Sequence, residues 1–168
     1  MSKLVVFIAS ILVLSSCQKS EVVSDFTGNE TKYALPQAST YPISGVVTLK
    51  ERKDGSTTVL VELSGTQGDA KFPVHLHLGD LSTPKAAVAA LLTPALATTG
   101  KSETVLTALA DETTVSYQKL IAMNACIKIH LADVGSDRDV ILAGGNIGKS
   151  ATTGNASGRL GFADCKSE

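Results

Sequence analysis

Thr57-Thr58-Val59-Leu60-Val61-Glu62-Leu63, followed by Phe72-Pro73-Val74-His75-Leu76-His77-Leu78, decides the fold class. In the first stretch Val59, Val61 and Leu63 fall on one face and Thr58, Leu60 and Glu62 on the other. A period of two is the signature of a strand with two distinct faces. Upstream, Ile43 to Leu49 is rich in β-formers. Glu51 to Gly55 is a charged turn whose Asp54-Gly55 pair signals a hairpin. Downstream, Thr104 to Leu109 reads as a strand. Ala125 to Leu131 is another, with Cys126, Lys128 and His130 on one face and Ile127, Ile129 and Leu131 on the other. Arg159 to Cys165 reads as the last strand. Pro84 to Ala97 is Ala- and Leu-rich between two prolines, which predicts a short helix capped by Thr83 with Pro84 at its first position. Ser116 to Met123 predicts one or two helical turns. Asp133 to Gly158, rich in Gly, Ser, Thr, Asn and Asp, reads as long loops of the functional kind. Short strands with turn signals, no long helix and no internal repeat indicate an all-β chain. The expected architecture is a Greek-key sandwich or barrel of about eight antiparallel strands with a short helical insert.

The composition agrees. Trp is absent, aromatics make up 4% and the formal net charge is −1. No basic stripe or run of like charge points to nucleic acid as a partner. The chain starts as an export signal: Lys3, then Leu4 to Leu14 interrupted only by Ser10. That run is too short to span a bilayer, which takes roughly 20 apolar residues, and fits a signal peptide. Leu14-Ser15-Ser16-Cys17 matches the lipobox of bacterial lipoproteins, where the Cys is acylated. Residues 1–16 are therefore expected to be the signal peptide and 17–40 a polar tether from a lipidated Cys17. Residues 41–168 would be the folded domain, lipid-anchored at the cell envelope. In an oxidising compartment the two remaining cysteines, Cys126 and Cys165, form either a disulfide or a pair of buried thiols. A bridge would close a loop of about 40 residues, worth about 4 kcal/mol in the chain-entropy picture. Nothing in the sequence sets an oligomeric state.

The chain has 3 histidines, His75, His77 and His130. Two apart in a strand, His75 and His77 point to one side, and imidazole is a favoured ligand for copper and zinc. The surrounding residues carry a resemblance. Gly45-Val46-Val47-Thr48-Leu49, Val59 to Gly65, Val74-His75-Leu76-His77 and Gly79-Asp80 resemble the first half of copper,zinc superoxide dismutases. Ile129-His130, Asp133-Val134-Gly135, Gly144-Gly145-Asn146, Thr153-Gly154-Asn155-Ala156 and Gly158-Arg159-Leu160 resemble that family's second signature. The resemblance spans roughly Gly45 to Asp80 and Ala125 to Asp164. Tyr117 to His130 is also similar to CHRD-like lipoprotein sandwiches.

The resemblance implies a superoxide dismutase-like fold and places all three histidines on copper-ligand positions, with Arg159 guiding the anion. It also implies what is missing. Leu81 to Asn124 contains no His, so the zinc ligands and the imidazole that bridges the two metals in the family have no counterpart. Cys126 and Cys165 are not at the family's disulfide positions, but would join strands that are neighbours in its barrel. Three imidazoles with an open side suit Cu(I) and admit Cu(II) with added water. Asp133 is expected to bond the second nitrogen of a ligand His, or else to be a solvated turn carboxylate. The function this implies is copper-dependent dismutation of superoxide, a small anion. Alternatives are a copper-binding protein without that activity and a metal-free structural module.

Overall fold

The computed structural model describes residues 24–154. Among them the chain forms eight strands: β1 (Phe26–Leu35), β2 (Ser44–Arg52), β3 (Thr57–Ser64), β4 (Lys71–Leu78), β5 (Val88–Leu96), β6 (Lys101–Leu106), β7 (Asn124–His130) and β8 (Ile141–Gly148). Two six-residue helices, α1 (Tyr117–Ala122) and α2 (Lys149–Gly154), complete it. Every pairing is antiparallel, in the spatial order β1-β2-β3-β6-β5-β4-β7-β8. β3 lies beside β6 and β4 beside β7, so two connections cross over, which is the Greek-key arrangement. This is the all-β architecture expected from the alternating segments. The Asp54-Gly55 turn joins β2 to β3: Gly55 takes φ +85° and its N–H donates to the Arg52 carbonyl at 3.1 Å. Ser116 caps α1, as the short helical signal there predicts, and Tyr117 and Leu120 are the residues it buries.

The sheet curls until its ends nearly meet. Residues just after β1 bond to β8: the Ala38 N–H donates to the Leu142 carbonyl at 3.0 Å and the Gly144 N–H to that of Pro36 at 3.1 Å. Gly145 permits this approach, because a Cβ there would overlap the carbonyl oxygen of Ala34. The interior is filled by Leu35, Val47, Leu49, Val61, Leu76 and Ile127, among others. Full burial of such a side chain contributes about 1.5–3 kcal/mol.

Three elements differ from expectation. The folded part begins well before Tyr41: Phe26–Leu35 is an edge strand that pairs with β2 from Phe26↔Arg52 to Leu35↔Gly45. Most of it faces solvent, so it carries little apolar signal and reads as tether. The Arg52 guanidinium lies 5.4 Å from the Phe26 ring centroid and helps hold its start. Within Pro84 to Ala97 the helix gives way to β5. Apolar content alone does not separate a buried strand from a helix, and here pairing with β4 overrides helix propensity. Its Pro94 is tolerated because the register skips between Phe72 and Val74. Pro73 and Pro94 both fall at this bulge, where neither needs an N–H for the ladder. Thr83 caps no helix; its hydroxyl accepts from the Asp80 N–H at 3.0 Å in a turn. Finally, the Gly-rich stretch after Asp133 contains β8, whose small residues pack closely rather than loop out.

Candidate metal centre

β4 and β7 are neighbours toward the β8 end of the sheet, each paired on both sides, and carry different chemistry on their two faces. Val74, Leu76, Ile127 and Ile129 point into the barrel. His75 and His77 point outward opposite Lys128 and Cys126, in the register His75↔Lys128 and His77↔Cys126. His130 extends the same outward row. Two irregularities flank the row: the register skips between Leu76 and His77 against β5, and between Ile129 and His130 against β8. Each bulge sits next to one of these histidines, where it can re-aim the side chain.

The outward face is not open to solvent. The segment after β4 folds back over it: Leu81 is buried, and its N–H donates to the Asn146 side-chain oxygen at 2.8 Å. The single-turn 3-10 segment Ser136–Asp139 covers the other end. As a result His75, His77 and His130 are 7%, 0% and 1% exposed.

The three rings converge. Each contributes one nitrogen to a group whose atoms all lie within 4.8 Å of one another. Ring centroids are separated by 4.6 Å for His75 and His130, 5.8 Å for His75 and His77, and 6.2 Å for His77 and His130. The Nδ1 of His77 lies 3.0 Å from the Ala86 carbonyl oxygen, and the Nδ1 of His130 lies 2.8 Å from that of Arg138. A carbonyl only accepts, so Nδ1 carries the hydrogen in both rings. In the neutral ring Nε2 is then the nitrogen with the lone pair. A backbone carbonyl fixing tautomer and ring orientation is the usual outer support of a metal-binding His.

Protonation favours the same role. Burial pushes His75 down from 6.5 to about 4, with the neighbouring His130 and His77 and the Arg138 charge acting the same way. Burial also pushes His77 down to about 4; the bond to Ala86 opposes this and the Lys128 charge adds to it. His130 is lowered by burial, against its bond to Arg138 and with the Lys128 and Arg138 charges. All three rings are therefore neutral near pH 7 and hold lone pairs without first losing protons.

The donor set fits a metal ion. Nitrogen ligands at about 2.0–2.1 Å from an ion lie about 3.5 Å apart, so separations of up to 4.8 Å must close by up to about 1.3 Å. His75 is the ring with freedom to do this, since among the described residues its ring nitrogens make no hydrogen bond. It also lines a cavity of about 290 Å³, walled by Pro73, Leu91 and Pro94 with Lys71 and Asp133, which leads toward solvent.

Asp133 does not take the ring-orienting role expected of it. It is exposed at the rim of that cavity, and the bonds that orient His77 and His130 come from main-chain carbonyls instead. A carbonyl belongs to any residue, so no sequence pattern marks Ala86 or Arg138 for this work. Lys128 was legible only as a lysine alternating with Cys126 and His130 in an apolar strand; it proves fully buried. Cys126 is buried on the same row. Cys17, Arg159 and Cys165, with the lipid, anion-guiding and disulfide roles expected of them, lie outside the described residues, as does the expected strand Arg159 to Cys165. Comparison with protein-family models, with curated proteins and with solved structures finds no match.

Proposed function

We propose that this chain is a copper-binding protein of the bacterial cell envelope, anchored by a lipid on Cys17. Its domain resembles copper,zinc superoxide dismutases, and its activity is dismutation of superoxide. The observation that carries the copper reading is the convergence of three buried, neutral imidazoles, two of them locked in the Nε2-ligating tautomer. An all-nitrogen set binds divalent first-row ions with copper at the top of the affinity order, and three such ligands with an open side also suit Cu(I). Bound copper would supply one-electron redox chemistry.

The chain's own residues would do the rest. His77 and His130, fixed by the Ala86 and Arg138 carbonyls, hold two corners of the site. His75 forms the third corner at the inner end of the cavity, where a small anion arrives. Arg138, whose charge is felt at His75 and His130, makes the local potential positive, and the resemblance gives Arg159 the same task. Guanidinium stays charged at any physiological pH, and a focused positive field can raise encounter rates by about 10–10³.

A second reading has its own support. Two ligands at 0% and 1% exposure leave His75 as the side of approach, so metal exchanges slowly, which suits a copper store or carrier. Copper content and superoxide dismutation of the purified full chain separate the two. One copper per chain, with activity lost in His130→Ala and reduced in Arg138→Ala and Arg159→Ala, is the expected result. Copper without activity selects the carrier. Absence of copper uptake contradicts both.

A further inference from the structure

The Ala86 carbonyl that takes the Nδ1 hydrogen of His77 lies in the loop between β4 and β5, and the backbone of that loop is unusual. Lys85, the residue just before Ala86, has φ +50°. Among the described residues it is one of 2 non-glycine residues in the left-handed region; the other is Glu112, between β6 and α1. A side chain in that region crowds the following carbonyl oxygen, and the conformation persists only where its surroundings enforce it.

The surroundings of Lys85 do so from both sides. Before it, Asp80 to Thr83 closes on itself. The Asp80 Oδ1 accepts from the Ser82 N–H at 3.0 Å, from the Ser82 hydroxyl at 2.7 Å and from the Thr83 hydroxyl at 3.1 Å. The Thr83 N–H donates back to the Asp80 carbonyl at 3.1 Å. Leu81 is buried, and its N–H is held by Asn146 on β8. After Lys85, the Ala87 carbonyl accepts from the Leu78 N–H at 3.0 Å, which ties the returning chain to the end of β4. The Pro84 ring locks its own φ. With both ends held and Pro84 stiff, the reversal of the chain falls on Lys85. Its side chain is exposed and makes no ion pair among the described residues.

We propose that Lys85 is a positioning residue of the histidine site: its left-handed backbone aims the Ala86 carbonyl at His77, which keeps the hydrogen on Nδ1 and the lone pair on Nε2. The proposal rests on the copper reading for its purpose, though not for its geometry. Lys85 acts through the main chain and not through its charge. Which imidazole nitrogen carries the hydrogen is set by the hydrogen bonds the ring makes. A displaced carbonyl lets the hydrogen move to Nε2, where it blocks the ligand position. Loss of such outer support typically lowers metal affinity about tenfold to a hundredfold.

The experiment compares the full chain with Lys85→Gly, Lys85→Asn and Lys85→Val. Gly and Asn adopt the left-handed region and remove the charge, whereas a β-branched Val does not adopt it. Nitrogen NMR of the metal-free proteins reads the ring tautomers of the 3 histidines, and chelator competition reads Cu(I) affinity. The wild type, Lys85→Gly and Lys85→Asn should all carry the hydrogen on Nδ1 of His77 and bind copper alike. Lys85→Val should show mixed tautomers at His77 and an affinity lower by about tenfold or more. His130, whose bond comes from Arg138, should keep its tautomer throughout, which a general loosening of the site would not allow. A His77 tautomer unchanged in Lys85→Val overturns the proposal. So does its loss in all three variants, which would assign the role to the ammonium. If Lys85→Val does not fold, Asp80→Ala, which releases the turn from its other side, replaces it with the same expected and contrary results. A wild type that takes up no copper overturns the copper reading, while the tautomers of the metal-free proteins still decide the role of Lys85.

Discussion

The two faces of the β4–β7 pair are made by the same strands, alternate residue by residue, and are both buried, yet they are built on opposite principles. Val74, Leu76, Ile127 and Ile129 face inward and belong to the apolar core. His75, His77, Cys126, Lys128 and His130 face outward, where the Leu81 and Ser136–Asp139 segments cover them. Burial of the inner row removes apolar surface from water and stabilises the fold. Burial of the outer row strips water from polar groups, a cost that is offset only where those groups find hydrogen bonds. The inner layer is explained by stability alone; the outer, polar layer is not, and that is the contrast the proposed metal site rests on.

The largest expected effect breaks the inner row. Leu76→Ala should lower unfolding free energy by about 2–5 kcal/mol, read by denaturant titration, while the fraction still folded retains its metal site. The outer row should respond in the opposite sense. His77→Ala is expected to weaken copper binding at least a hundredfold and to cost the metal-free fold about 1–3 kcal/mol, since the Ala86 carbonyl loses its donor. A variant that loses stability as severely as Leu76→Ala would place His77 in the structural layer.

Acid sharpens the contrast without mutation. His75 and His77 titrate near 4 in the folded chain against 6.5 when unfolded. Between those values the unfolded chain binds more protons, so stability rises with pH across the window. Acidifying the metal-free protein from pH 7 should therefore lose stability progressively from about 6.5 to about 4, and this contribution should level off below. His77→Ala should make that slope shallower; an unchanged slope would contradict the assignment. The smallest expected effect is at Asp133. Asp133→Asn should shift stability by less than about 0.5 kcal/mol, as exposed substitutions do, and leave copper affinity within about twofold, because main-chain carbonyls orient the rings.

The alternation that identifies β3, β4 and β7 was legible because each has two chemically distinct faces, and so was the common side of His75 and His77. Convergence of His130 with them required the β4–β7 pairing, which no local pattern contains. β1 was hidden by its exposure, β5 by Ala and Leu that serve helix and strand alike, and β8 by glycines that read as loop. Gly145 shows why that last reading fails: its missing side chain closes the barrel against Ala34. Lys128 stood in plain view, but its burial follows from the pairing of β7 with both β4 and β8, which no local pattern contains.

Under the proposed function, three imidazoles on one sheet face hold one copper ion. X-ray absorption spectroscopy of the full chain loaded with one equivalent of Cu(I) tests it most directly. Three nitrogen scatterers at about 2.0 Å with the outer-shell pattern of imidazole are expected, lost together in His77→Ala. Sulfur in the first shell, or a wild-type spectrum that survives His77→Ala unchanged, would contradict it.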